Sequence, residues 1–140
     1  MLGNARECWG CCGMLGRDCW GNAGECLGKG HIDYVYSLVV LHTGELASGS
    51  RDKTIRVWDM DTGECKQVLK GHTGYVISLV VLPTGELASG SYDGTIRVWD
   101  TDTGECKQVL KADAVLNALL VLPTGELASG LNDKTIRVWH

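Results

Sequence analysis

The sequence predicts an all-β protein assembled from repeated units of four short antiparallel strands. Three observations predict it. The 140-residue chain repeats with a period of 41: residues 30–70 laid on 71–111 agree at 34 of 41 positions without a gap. Residues 112–139 follow the same pattern one residue short. The unit itself is made of short apolar, β-rich runs separated by turn residues, and a hydrophobic content of 44% is enough to build a core. Self-similarity at this spacing restricts the architecture to solenoids, propellers or arrays, and an all-strand unit narrows it further.

The second unit shows the order of elements. Residues 76–82 form a continuous β-rich run, followed by the turn sequence Pro83-Thr84-Gly85. Residues 86–91 read as a strand of small residues, and Tyr92-Asp93-Gly94 as a tight turn. Residues 95–99 are strand-like, with Ile96 and Val98 on one face, and 101–104 turn the chain again. In 106–110, Cys106, Gln108 and Leu110 alternate against Lys107 and Val109 as a fourth strand. Four short antiparallel strands joined by turns make one propeller blade. The expected fold is therefore a partial β-propeller of about three four-stranded blades, covering 30–70, 71–111 and 112–140. The last blade lacks its outer strand, because the sequence stops at Trp139-His140 after a third strand. Residues 1–29 form a Gly-, Cys- and Trp-rich leader, irregular or a decayed repeat, whose residues 25–28 could offer a short outer strand.

Several fixed positions recur in register: Gly71-His72, Leu87-Ala88-Ser89-Gly90-Ser91, Asp93 and Trp99-Asp100, matched by Gly30-His31, residues 46–50, Asp52 and Trp58-Asp59. In these elements residues 30–139 resemble the WD-repeat family. The resemblance implies a hydrogen-bonded tetrad in each blade, Trp58, Ser48, His31 and Asp52, then Trp99, Ser89, His72 and Asp93. Indole, hydroxyl, imidazole and carboxylate buried together must satisfy one another, since each unpaired buried polar group costs about 1–3 kcal/mol. The third unit keeps Trp139, Ser129 and Asp133 but has Lys111-Ala112-Asp113 where Gly-His would stand, so that blade is expected to be the least stable.

A recurring Ser, His and Asp also invites a hydrolase reading. It is disfavoured because the trio returns in each intact repeat with a Trp donor, as a structural cross-link would, so no catalytic residue is assigned. His31 and His72 lie 41 residues apart without repeated Cys or His partners, which argues against a metal. Cys8, Cys11, Cys12 and Cys19 carry one pair at metal-knuckle spacing but no second, so no cofactor is expected and free thiols are the default. The formal charge of -4 gives no footprint for nucleic acid or an anionic membrane. Without a span of roughly 20 apolar residues or a basic-then-apolar leader, the chain reads as intracellular and cytoplasmic.

The two best units differ at Ile32/Thr73, Asp33/Gly74, Tyr36/Ile77, His42/Pro83, Arg51/Tyr92, Lys53/Gly94 and Met60/Thr101, mostly in turns or at strand starts. Arg51, Tyr92 and Asn132, each just before the turn Asp, are expected on one propeller rim together with Tyr34 and Tyr75. Tyr and Arg are enriched at interface hot spots. The resemblance implies a non-catalytic scaffold or adaptor that binds proteins or peptides through rim loops. Self-association to complete the propeller is a further expectation, because exposed blade faces carry residues such as Val35, Leu38, Val40, Leu119, Val121, Ile136 and Val138. Leaving several hundred Å² of apolar surface in water forgoes on the order of 10 kcal/mol. Two alternatives stand beside this: a regulatory or substrate-recognition part of a larger enzyme or ubiquitin-ligase subunit, and a zinc- or thiol-dependent protein acting through the N-terminal cysteines.

Overall fold

The structure, a computed structural model, describes residues 30–140. The leader, with Cys8, Cys11, Cys12, Cys19 and the strand expected at 25–28, lies outside the described residues. Eleven strands follow one another: β1 (Val35–Val40), β2 (Leu46–Ser50), β3 (Ile55–Trp58), β4 (Cys65–Leu69), β5 (Val76–Val81), β6 (Leu87–Ser91), β7 (Thr95–Trp99), β8 (Cys106–Lys111), β9 (Leu116–Val121), β10 (Leu127–Leu131) and β11 (Ile136–Trp139). They form three antiparallel meanders, β1-β2-β3-β4, β5-β6-β7-β8 and a three-stranded β9-β10-β11. The all-β fold and the short third blade thus appear as the repeat predicts.

Each strand stops where its turn chemistry begins. After β5, the Leu82 N–H donates to the Glu86 carbonyl at 2.8 Å and the Gly85 N–H donates to the Leu82 carbonyl at 2.9 Å. Gly85 takes φ +93°, a left-handed conformation that glycine adopts without steric cost. The β6–β7 turn closes with the Gly94 N–H on the Ser91 carbonyl at 3.2 Å. Lys53 and Lys134 occupy the corresponding place in the other two blades with φ 75° and 72°.

The blades stack through their inner strands, with β5 packed on β1 and β2, and β9 packed on β5 and β6. Leu41, Ala47, Ile55, Val57 and Leu69 of the first blade and Val76, Leu79 and Leu87 of the second share one buried cluster. Ala88 and Ile96 of the second blade share the next with Leu116, Leu119 and Leu127. One hydrogen bond repeats at both seams: the Leu79 N–H donates to Ser37 Oγ, and the Leu119 N–H to Ser78 Oγ, each at 3.1 Å.

A β-bulge decides which side chains reach the seam. The β5–β6 register passes from Val76↔Ser91 directly to Ser78↔Gly90, so Ile77 is the extra residue. Beyond a bulge the alternation resets, and Val76 and Leu79 are the buried members of β5. In β9 the register skips Asn117 in the same way, and Leu116 and Leu119 are buried against the second blade. This corrects one expectation. Leu119 is buried and Val121 packs on the same cluster, whereas Val35, Leu38, Val40, Ile136 and Val138 are exposed as expected.

Candidate functional site

Two constellations repeat with the blades, one buried and one on a rim. In the second blade the Trp99 Nε1–H donates to Ser89 Oγ at 2.8 Å. Ser89 Oγ lies 2.6 Å from His72 Nε2, and His72 Nδ1 lies 2.8 Å from Asp93 Oδ2. One assignment of protons satisfies every member: indole to serine, serine hydroxyl to Nε2, and Nδ1–H to the carboxylate, with a neutral imidazole. The first blade repeats it, with Trp58 Nε1 to Ser48 Oγ at 2.9 Å, Ser48 Oγ to His31 Nε2 at 2.6 Å and His31 Nδ1 to Asp52 Oδ2 at 2.8 Å.

Threonines complete these networks, which the sequence reading did not include. The Thr95 hydroxyl and N–H both donate to Asp93 Oδ1, at 2.6 and 2.9 Å, and Thr54 does the same to Asp52 at 2.6 and 2.9 Å. In the third blade the Trp139 Nε1–H still donates to Ser129 Oγ at 2.8 Å. There Ala112 is buried, Asp133 is exposed, and Thr135 is the side chain that donates to it.

The cluster has the partner distances of a Ser-His-Asp triad but not its access. Ser48 and Ser89 are buried, and each hydroxyl oxygen already carries an indole N–H. A substrate carbonyl has no route to either.

The rim is built by the same loops. The Arg51 N–H donates to the Tyr34 carbonyl at 2.8 Å and the Tyr92 N–H to the Tyr75 carbonyl at 2.9 Å, which ties each turn to the start of its own blade. Ser50 Oγ donates to the Tyr34 carbonyl at 2.8 Å and fixes the segment from below. The Arg51 guanidinium then lies between two rings, 5.7 Å from the Tyr34 centroid and 4.9 Å from that of Tyr75 in the next blade. Tyr75 stacks on Tyr92 at 5.2 Å and meets Tyr36 at 6.3 Å, while Asp33 Oδ2 sits 3.7 Å from Arg51 Nε. Four of the five rim residues named from sequence therefore meet in one strip across two blades. Asn132 lies apart, its side-chain oxygen accepting the Val115 N–H of its own blade at 3.2 Å. Tyr36 and Asp33 are additions, and both stand among the seven positions where the two best units differ.

Comparison with known proteins follows the same frame. The profile described as "WD domain, G-beta repeat" matches residues 24–59, 63–100 and 104–140. The chain belongs to the WD-repeat family. This WD-repeat chain superposes on the WD40 β-propeller domain of Doa1 with a TM-score of 0.78 and 29% identity, over 86% of its own length and 42% of that chain. It is 48% identical over 42 residues to cell division control protein 4 of Saccharomyces cerevisiae, which is 30% of this chain and 5% of that protein. It is also 56% identical over 41 residues to a ribosome biogenesis protein BOP1 homolog of Oryza sativa subsp. japonica, 29% of this chain and 6% of the relative. The WD-repeat stretch thus spans only a small part of the curated relatives it matches.

Electrostatics agrees with a neutral imidazole in the second WD repeat. Burial pushes the His72 pKa below its usual value, and the hydrogen bond that His72 donates to Asp93 offsets this only in part. Burial alone would raise the Asp93 carboxyl, but the donors Thr95, His72 and the Thr73 N–H outweigh it and hold its pKa below the ordinary range. Asp52 is lowered in the same way, burial being outweighed by Thr54 and His31. Among the described residues, no group of three or more His, Cys, Asp or Glu is placed to hold a metal, and no helix is long and apolar enough to cross a membrane.

Proposed function

We propose that this chain is a non-catalytic protein-interaction module that grips a protein or peptide segment on the rim strip of Tyr34, Tyr36, Arg51, Tyr75 and Tyr92. One observation carries the reading: a guanidinium held between two tyrosine rings from adjacent blades, with Tyr34, Tyr36 and Tyr92 left exposed around it. Exposed rings stacked in this way present a large, stiff contact area, and Arg with Tyr are the side chains that dominate interface energetics. The rigid blades below hold the turns in place while the side chains on them vary from blade to blade, as a binding loop requires. Asn132 extends the same rim onto the third blade.

Random peptides displayed on phage and selected on the wild-type chain test this. Selected peptides should lose at least about tenfold in affinity, roughly 1.4 kcal/mol, when Arg51 and Tyr92 are both replaced by Ala and the circular dichroism is unchanged. Binders indifferent to that double substitution would place the interaction elsewhere. A second reading is that these repeats are the recognition part of a longer protein, and the small share of each curated relative that the chain spans favours it. We place the module in the cytoplasm and assign it no cofactor. The zinc- or thiol-dependent alternative concerns cysteines outside the described residues.

A further inference from the structure

The two seams inside the molecule are made by one pair of matching faces, and among the described residues the same pair stands uncovered at the two ends of the array. Each blade offers three apolar side chains to the blade before it: Val76, Leu79 and Val81 in the second, Leu116, Leu119 and Val121 in the third. The first blade carries Val35, Leu38 and Val40 at the same places. Val76 and Leu79 are 0% and 6% exposed, whereas Val35 and Leu38 are 49% and 61% exposed. The receiving face repeats equally. Ile55 and Ile96 are 0% exposed beneath the next blade, and Ile136 of the third blade is 80% exposed.

Glycine records the fit. A Cβ on Gly49 would come within 2.7 Å of Val76 Cγ1, and one on Gly90 within 3.2 Å of Leu119. These positions must stay bare because the incoming blade rests on them. Gly130 stands at the same place in the third blade, and its nearest neighbour would be Ala118 Cβ at 3.8 Å. Among the described residues, nothing at Gly130 calls for a glycine.

We infer that the free face of the third blade is a docking site for the free face of the first blade of a second copy of this chain. Val35 and Leu38 of the second copy seat over Gly130 and Ile136, as Val76 and Leu79 seat over Gly49 and Ile55. The contact is heterologous and joins copies head to tail, and two copies closed on each other bring together six blades, within the four to eight that propellers use. One element of the internal seams is missing. Ala118 stands where Ser37 and Ser78 accept the inter-blade N–H, so the seam between copies is one hydrogen bond poorer and looser than those within. The docking uses no residue of the rim strip and does not depend on it.

Light scattering over a tenfold concentration range, with reductant present so that cysteines do not cross-link copies, tests the inference. The wild-type chain should show a mass above the 15.1 kDa of one copy, rising with concentration. Gly130→Val should return it to one copy with an unchanged far-UV spectrum, because the added Cβ makes only ordinary contact with Ala118 within the described residues and blocks only the seam. Leu38→Lys, on the opposite free face, should do the same, and it keeps the test decisive if Gly130→Val were to unfold. Mixing the two variants should restore one-to-one pairs, since each keeps the face that the other has lost. Ala118→Ser should tighten association about two- to tenfold for each seam formed, the effect of one net hydrogen bond per seam. A wild type that stays at one copy throughout, or association that survives both Gly130→Val and Leu38→Lys, would overturn the proposal.

Discussion

At the scale of single residues, the buried tetrad sets how the protein responds to mutation and to acid. His72→Ala removes the acceptor of the Ser89 hydroxyl and the imidazole donor to Asp93 Oδ2, leaving Ser89 its Trp99 indole donor and Asp93 its Thr95 and Thr73 donors. The cost should be about 1–3 kcal/mol, and an unchanged urea midpoint would mean that the network holds nothing together. Because the folded His72 pKa is depressed, the unfolded chain takes up its proton first. Stability from this residue is fully present above the unfolded value of about 6.5 and is lost as pH falls below it. Asp52 and Asp93, also depressed, add a separate loss below about 4. Urea midpoints measured down from neutrality should therefore decline through the histidine range in the wild type and decline less in His72→Ala.

Backbone conformation gives an independent residue-scale test. Lys53 and Lys134 hold left-handed φ where the second blade has Gly94. Left-handed backbone costs a residue with a side chain roughly 1 kcal/mol, so Lys53→Gly should stabilise the chain by up to about that amount. A fall in melting temperature would show that the lysine side chain contributes more than its backbone costs.

Much of this was legible in sequence because the tetrad members keep constant offsets from unit to unit. The rim was legible only in part. Tyr34, Arg51, Tyr75 and Tyr92 could be placed on one edge by repeat position, but Tyr36 joins them through the angle between blades, on Tyr75 of the next, and Asp33 joins within its own blade, on Arg51. Asn132 follows the repeat position and still leaves the strip, because its short amide bonds back to Val115.

At the scale of strands and blades, the strand order matched the repeat closely, and the disagreement concerned which face is which. Leu119 and Val121 were expected in water, although they are the repeat equivalents of Leu79 and Val81 and so face the preceding blade. The bulges at Ile77 and Asn117 set this by shifting the alternation within β5 and β9. A bulge leaves little trace in a run such as Leu-Asn-Ala-Leu-Leu-Val. The third blade has neither a tetrad histidine nor, among the described residues, a fourth strand, and its turn aspartate is exposed. Hydrogen exchange should accordingly be faster in β10 than in β6, its counterpart in the second blade. Equal protection in the two strands would show that packing against the second blade makes up for both losses.

At the scale of the whole molecule, each blade touches only its neighbours, so stability is close to a sum of blade and seam contributions along one dimension. The length of the array is consequently a free variable. Lys70 and Lys111 are equivalent, so removing residues 71–111 would join Lys70 to Ala112 through the same dipeptide that Lys111 forms now. Leu119 would then rest on Gly49 instead of Gly90, and its N–H would find Ser37 instead of Ser78. Inserting a further copy of 71–111 would be equally silent at its junctions. Growth or shrinkage by whole units thus alters the span of the arc and leaves its two ends chemically unchanged, which is the arithmetic of a polymer built from one monomer with a head and a tail.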